Sequence, residues 1–275
     1  MSHDSFGMTL KNWRKQRRLS QLDLAANADI STRHLSFLET GRSRPSRDMI
    51  LHLAECLDVP LRERNGLLVS AGFAPIYAQH DFEGEGALGI RKAVDQILSA
   101  HEPFPALAMD RHWNMVAANR IVPLLLVGID PDLLQPPINL LRLSLHPNGL
   151  AARVANFVQW RDHLQDRLRR QIDVTADPEL IGLYDEAKHY RLPDHHEQVM
   201  DAVGVDGTDK DAINGLIVPL ILKTDVGVLR FITTTTVFGT PVEVTLSELA
   251  IETLLPADED TSRALKQLAS LPQAG

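Results

Sequence analysis

Only one cysteine, Cys56, occurs among the 275 residues, which excludes an intrachain disulfide and a zinc site built from several cysteines. Its neighbours Leu53, Ala54 and Leu57 mark it as a small apolar residue on a helix face. No apolar run reaches the length of a membrane span and no signal peptide opens the chain, so a cytoplasmic protein with no membrane association is expected. Patterns that carry catalysis are missing as well: there is no Walker A loop and no G-x-S-x-G. Neither an enzyme nor a cofactor is expected. The densest histidine cluster, His189, His195 and His196 with Asp194 and Glu197, fits no zinc spacing and shares its segment with Pro193, so a solvated polar loop and no metal are expected there. Asp258, Glu259 and Asp260 lie in a tail-like stretch where helix capping accounts for them.

What the chain has is charge sorted by position. The net charge is −8. Residues 1–70 carry eleven Lys/Arg against eight Asp/Glu, and residues 71–275 carry seventeen against twenty-eight. Between Lys11 and Arg47 the ratio is nine to three. A basic head on an acidic body fits a nucleic-acid-binding head, since the remainder repels a phosphate backbone. Hydrophobic residues make up 44% of the chain, enough for a large core and for two domains of ordinary size.

The basic stretch carries helix punctuation. Helix 1 is predicted from Thr9 to about Arg17. Ser20, with Asp23 three residues on, has the spacing of a capping box and starts helix 2. A turn falls at Ala28-Asp29-Ile30. Ser31 caps helix 3, which runs to Thr40 and ends at Gly41. Pro45-Ser46 starts helix 4, whose Met49, Ile50, Leu53, Ala54 and Leu57 share one face, and Pro60 opens helix 5.

Gln21, Ala25, Ile30, Leu35, Leu38, Glu39, Gly41 and Pro45 fall at the spacings of the XRE (Cro/C1-type) helix-turn-helix family, which residues 9 to 72 resemble. The resemblance implies that Gln21 contacts a phosphate and supports the recognition helix. It also implies that Arg14 pairs with Glu39 in a structural contact, and that the protein binds double-stranded operator DNA as a homodimer. Half-sites then lie about one helical turn apart, ~34 Å. Asp29 stands where the family commonly has glycine, and aspartate tolerates a left-handed backbone better than most residues.

Readout is expected from the start of helix 3: Ser31, Thr32, Arg33, His34, Ser36 and Phe37. Arg33 suits a guanine edge, Phe37 a thymine methyl, and His34 a base or a phosphate. The alternative for Phe37 is packing inside the domain. Arg42, Arg44 and Arg47 read as phosphate clamps, against the plainer reading of a solvated basic loop.

The DNA domain is placed at 9–75, a polar linker at 76–89 and a second domain at 90–272. Helices are predicted at Ile90 to Ala100, Ala151 to Ile172 and Glu179 to Tyr190. Short strands are predicted at Ala106 to Met109 and Met115 to Ala118, around Asp110-Arg111-His112. Ile213 to Leu222 is an apolar run, Val228 to Val237 is rich in β-branched residues, and Val242 to Leu246 alternates as a strand. Leu246 to Leu255 fits either a helix or a bulged strand, and Thr261 to Leu268 is a closing helix. Two strands, a helical middle and three strands is the order of a PAS-like fold, and the chain as a whole is α+β.

Phe104-Pro105-Ala106-Leu107-Ala108-Met109-Asp110, Ala118-Asn119-Arg120, Asn139-Leu140-Leu141-Arg142-Leu143, Asn156 with Trp160, Phe238-Gly239-Thr240-Pro241 and Leu255-Pro256-Ala257-Asp258 resemble the MmyB-like ligand-binding domain over about 90 to 272. The resemblance implies a PAS-like pocket for a small apolar molecule such as a fatty acid. Candidate lining residues are Phe104, Met109, Trp113, Met115, Phe157, Trp160, Leu216, Val218 and Phe231, with Arg142 as the anchor for a carboxylate. Ordinary core is the competing account of each apolar one. A ligand-responsive, sequence-specific transcription regulator, in the form of a repressor, is therefore expected. The alternative is an antitoxin-like interaction protein whose C-terminal half grips a protein partner. An exposed apolar patch without an enclosed cavity would favour that alternative.

Overall fold

A computed structural model describes residues 5–191, 217–239 and 241–270. Leu216, and His195 and His196 with Asp194 and Glu197, lie outside the described residues. The chain forms two compact units, residues up to 81 with 241–247, and residues 82–239 with those from 248 onward.

The first unit opens with α1 (Phe6–Gln16), α2 (Gln21–Asn27), α3 (Thr32–Glu39), α4 (Arg47–Cys56) and α5 (Leu61–Ser70). α1 starts ahead of the predicted Thr9 because Phe6 is buried in the core and Ser5 before it is extended. Local chemistry fixes the other starts. The Ser20 hydroxyl accepts from Asp23 N at 3.1 Å while Asp23 accepts from Ser20 N at 2.9 Å, a complete capping box. Ser31 accepts from His34 N at 3.1 Å and Ser46 from Met49 N at 3.2 Å. Asp29 takes φ 50 in the turn before α3, and Gly41 takes φ 71 just after it.

Leu10, Leu24, Leu35, Leu38, Ile50, Leu53 and Leu68 are fully buried where these helices meet. Each contributes roughly 1.5–3 kcal/mol relative to exposure. Gly7 sets how closely α1 and α3 approach: a Cβ there would sit 2.5 Å from Glu39 O and 2.6 Å from Leu38 O.

Residues 241–247 correct one expectation. The alternating stretch Val242 to Leu246 is not a strand; Val244–Ser247 forms a helical turn. Its polar groups bond to the 78–80 segment: Val244 N donates to Ala78 O at 2.8 Å, and the Thr245 hydroxyl donates to His80 O and accepts from His80 N, each at 2.8 Å. Among the described residues it pairs with no strand, so alternation there builds no sheet.

The second unit is an antiparallel sheet with helices. Its strands are β1 (Ala106–Met109), β2 (Met115–Ala118), β3 (Leu220–Thr224), β4 (Gly227–Val237) and β5 (Ala250–Pro256), in the order β2-β1-β5-β4-β3. The third strand of the C-terminal set is thus Ala250–Pro256, which resolves the 246–255 ambiguity toward strand. Its helices are α6 (Leu88–Ala100), α7 (Val122–Leu125), α8 (Leu140–Leu145), α9 (Phe157–Thr175), α10 (Pro178–Ala187) and α11 (Glu259–Ser270). α9 starts at Phe157, later than Ala151, because 150–153 forms a 3-10 turn. The Asn156 side chain then ties the chain to β3, accepting from Ile221 N at 3.1 Å and donating to Pro219 O at 2.7 Å.

The two faces of the sheet pack differently, as period-two alternation requires. Ala106, Ala108 and Ile251 meet Val94 and Leu98 of α6. Leu220, Leu222, Leu229 and Phe231 meet Phe157, Trp160, Leu164 and Leu168 of α9 in the larger core. The α+β class and PAS-like order expected from the sequence are present.

Candidate functional site: a helix-turn-helix head and an apolar cavity

α3 presents an outer surface. Ser31 and Arg33 are exposed, Thr32, His34, Ser36 and Phe37 are half-buried, and Leu35 and Leu38 point into the core. Phe37 belongs wholly to neither surface nor interior. The Arg33 guanidinium lies 5.3 Å from its ring centroid and that of Arg42 lies 5.9 Å away. Arg42 reaches this position because the chain after α3 folds back, with Arg42 N donating to Phe37 O at 2.8 Å. Arg44 and Arg47 are exposed on the following loop and at the first turn of α4. Of the predicted DNA residues, Arg33 and Arg42 are thus brought together on Phe37, whereas Gln21 starts α2.

Gln21 belongs to a buried network behind that surface. Arg14 donates to Glu39 through Nε at 2.6 Å and Nη2 at 2.9 Å, and through Nη1 to Leu19 O at 2.8 Å. The Gln21 amide donates to the same Glu39 carboxylate at 2.7 Å. Burial pushes the Glu39 carboxyl up, but the bonds from Arg14 and Gln21 outweigh it and hold it below its ordinary range. The bond to Glu39 likewise raises the Arg14 guanidinium. An amide nitrogen carries two hydrogens, so Gln21 has a second N–H beyond the one bonded to Glu39.

The second unit holds a cavity of about 80 Å³ between the sheet and helices α7, α8 and α9. Leu107, Leu220, Leu222 and Leu254 line it from the strands; Val122, Leu125, Leu143 and Leu164 from the helices; Trp113 and Trp160 complete the wall. Three side chains with polar groups also line it: Ser144, Thr233 and Glu252.

Trp113 is held there by its turn. Asp110 accepts from His112 N and Asn114 N, both at 2.8 Å, and Trp113 itself takes φ 68. A left-handed backbone at a bulky residue costs of order 1–3 kcal/mol and persists only where its surroundings fix it. Here the indole N–H donates to Gln171 Oε1 at 2.8 Å, and the Arg167 guanidinium stacks 4.7 Å from the ring centroid. Arg167 in turn donates to Glu252 at 2.7 Å.

Trp160 differs. It is only 3% exposed, and its indole N–H has no partner among the described residues. An unsatisfied buried donor costs about 1–3 kcal/mol. The ring stacks on His163, which burial and then Arg167 keep below the ordinary histidine range.

Of the predicted ligand residues, Trp113 and Trp160 line the cavity. Phe157 and Phe231 are fully buried in the core around it, and Phe104 and Val218 pack against that core. Met109 and Met115 lie in a separate small cluster with Leu107 and Val122. Arg142 is absent from the lining and makes a paired contact with Glu186, 2.8 Å at both Nε and Nη2. Its charge is already matched. Sequence reading missed Glu252, whose signal was a lone carboxylate between Ile251 and Leu254 in an apolar stretch. It also passed over Gly84, Gly86 and Gly89, which have the spacing of a dinucleotide-binding loop; no strand precedes them, so the required strand-turn-helix setting is missing. Among the described residues no histidine, cysteine and carboxylate group is arranged to hold a metal, and no helix is long and apolar enough to cross a membrane.

Two known families match the chain. Residues 90–268 match the MmyB-like transcription regulator ligand binding domain, and residues 10–64 match a helix-turn-helix family. No curated protein matches the chain.

Proposed function

The chain belongs to the MmyB-like transcription regulator ligand binding domain family, with a helix-turn-helix ahead of that domain, and from this premise we propose that it represses transcription as a cytoplasmic homodimer released by a small apolar ligand. That it is a DNA-binding transcription regulator with a ligand-binding domain follows from the two families. The dimer, the sign of regulation and the nature of the ligand are the proposal.

The observation that carries the DNA half is the outer face of α3, with exposed Arg33 beside half-buried Phe37 and with Arg42, Arg44 and Arg47 close in sequence. Arg33 reads a base edge, while the three following arginines neutralise phosphates. Two heads on one dimer read a two-fold site, since a single module buries too little surface for tight binding.

The cavity supports the ligand half. It is a partly open concave site lined by leucines and two tryptophans, which supports binding of a small apolar molecule. Its size supplies a mechanism. At about 80 Å³ it is smaller than the roughly 150 Å³ that holds one benzene. A fatty-acid-like chain is fully buried there only when the walls move apart. It therefore binds the expanded state better, and that difference in affinity is the free energy available for changing DNA binding.

The test is selection of genomic fragments by the full chain at low salt, followed by titration of a selected duplex with C8 to C12 acyl compounds. Recovery of a two-fold sequence whose affinity falls when a compound is added supports the reading. Even binding to every duplex refutes sequence-specific regulation.

A further inference from the structure

The geometry points to an uncharged polar head on the cavity's ligand, a hydroxyl or carbonyl as in an alcohol or primary amide, and against an ionised carboxylate. This deepens the ligand reading above and depends on the cavity being the ligand site.

Charge within the wall comes first. Glu252 lines the cavity, whereas no lysine or arginine does among the described residues. The nearest cation in this network, Arg167, is already bonded to Glu252 and stacked on Trp113. Arg142, the side chain that would suit an acid, is bound to Glu186. A carboxylate entering this space would lose its hydration and, among the described residues, would meet the Arg167–Glu252 pair but no unmatched positive charge to replace that hydration, which is unfavourable in a low-dielectric interior.

The donors and acceptors complete the argument. Trp160 forms part of the wall, and its indole N–H lacks a partner among the described residues. It suits a ligand oxygen that accepts. Glu252 suits a ligand group that donates, as do the oxygens of Ser144 and Thr233. A hydroxyl or a primary amide does both, whereas an ionised acid only accepts. The rest of the wall is hydrocarbon and suits the tail.

The test uses the purified full chain at neutral pH with octan-1-ol, octanamide and sodium octanoate, read by thermal shift and by the fluorescence of Trp113 and Trp160. The alcohol and the amide should bind at least tenfold more tightly than octanoate. Glu252→Gln should improve octanoate severalfold while changing octanol less than about twofold. Trp160→Phe should weaken the amide about five- to tenfold, the size of one hydrogen bond. The wild-type ranking stands as a test even if a variant fails to fold. Octanoate binding as tightly as octanol overturns the head-group inference but leaves the cavity as a ligand site. No response to any of the three removes the cavity reading, and the inference with it.

Discussion

Gln21 donates its side-chain amide to Glu39 at 2.7 Å, so the first residue of α2 is fastened to the last residue of the recognition helix. Arg14 of α1 holds the same carboxylate through two nitrogens. Three helices thus meet on one buried carboxylate, which fixes the angle at which α3 is presented. Removing one partner of a buried pair strands the other, so Glu39→Ala should cost about 3–5 kcal/mol of stability. Denaturant titration followed by helix content measures it. Glu39→Gln keeps the shape and should cost less, because some hydrogen bonding survives.

The same carboxylate sets an acid limit. Glu39 titrates below its unfolded value, since its bonds to Arg14 and Gln21 outweigh burial. Its contribution to stability is therefore fully present above the ordinary carboxylate range and is lost as pH falls through the depressed folded value. Wild-type stability should drop on acidification below about pH 4.5, the Glu39 reference value, more steeply than that of Glu39→Gln. Parallel pH curves for the two proteins would show that other carboxylates set the limit.

Arg33 and Arg42 flank the same ring but should behave differently on DNA. Arg33→Ala should change base preference, with a loss of about 1–3 kcal/mol confined to operators carrying its base. Arg42→Ala should weaken all sequences alike and reduce the slope of log K against log salt by about one. Binding to a panel of single-base operator variants at several salt concentrations separates the two. An equal loss on every variant for Arg33→Ala would place it among the phosphate contacts.

Gly7 is a steric test of the head. Its missing Cβ is what allows α1 to approach the carbonyls of Leu38 and Glu39. Alanine normally favours a helix over glycine, yet here its methyl would lie about 2.5 Å from backbone oxygens that cannot swing away. Gly7→Ala should therefore destabilise by about 1–3 kcal/mol, the usual range for overpacking. A rise in melting temperature would mean that α1 shifts freely.

What could be read in the sequence was what the sequence encodes locally. Ser20, Ser31 and Ser46 cap their helices with hydrogen bonds spanning three residues, so their neighbours suffice to identify them. The Arg14–Glu39 contact, twenty-five residues apart, was legible only through resemblance to a family. The β5 strand was ambiguous because Glu252 and Thr253 interrupt its apolar run, and its pairing with β1 and β4 is fixed by distant residues. Val242 to Leu246 misled for a related reason. Alternation reports which side chains share a face, but not whether the backbone has a partner strand, and here its bonds go to Ala78 and His80. Cavity and core leucines are identical as letters. Only the arrangement of Leu143, Leu164 and Leu220 leaves a space, whereas Phe157 and Phe231 fill theirs.

Asp110 sets the last test, because it joins backbone strain to the cavity. Its carboxylate accepts from two backbone N–H groups and from the Asn114 amide at 3.0 Å, closing the turn that holds Trp113 at φ 68. Asp110→Ala removes all three acceptor contacts and leaves the strained conformation with less support. Stability should fall by about 1–3 kcal/mol, and Trp113 should leave its place in the wall. Octanol binding should then weaken at least severalfold, with a changed tryptophan emission. Asp110→Asn retains one carbonyl acceptor and should fall between the two proteins. If Asp110→Ala lost stability but bound octanol as the wild type does, Trp113 would belong to the core alone and the ligand would rest on the remaining walls.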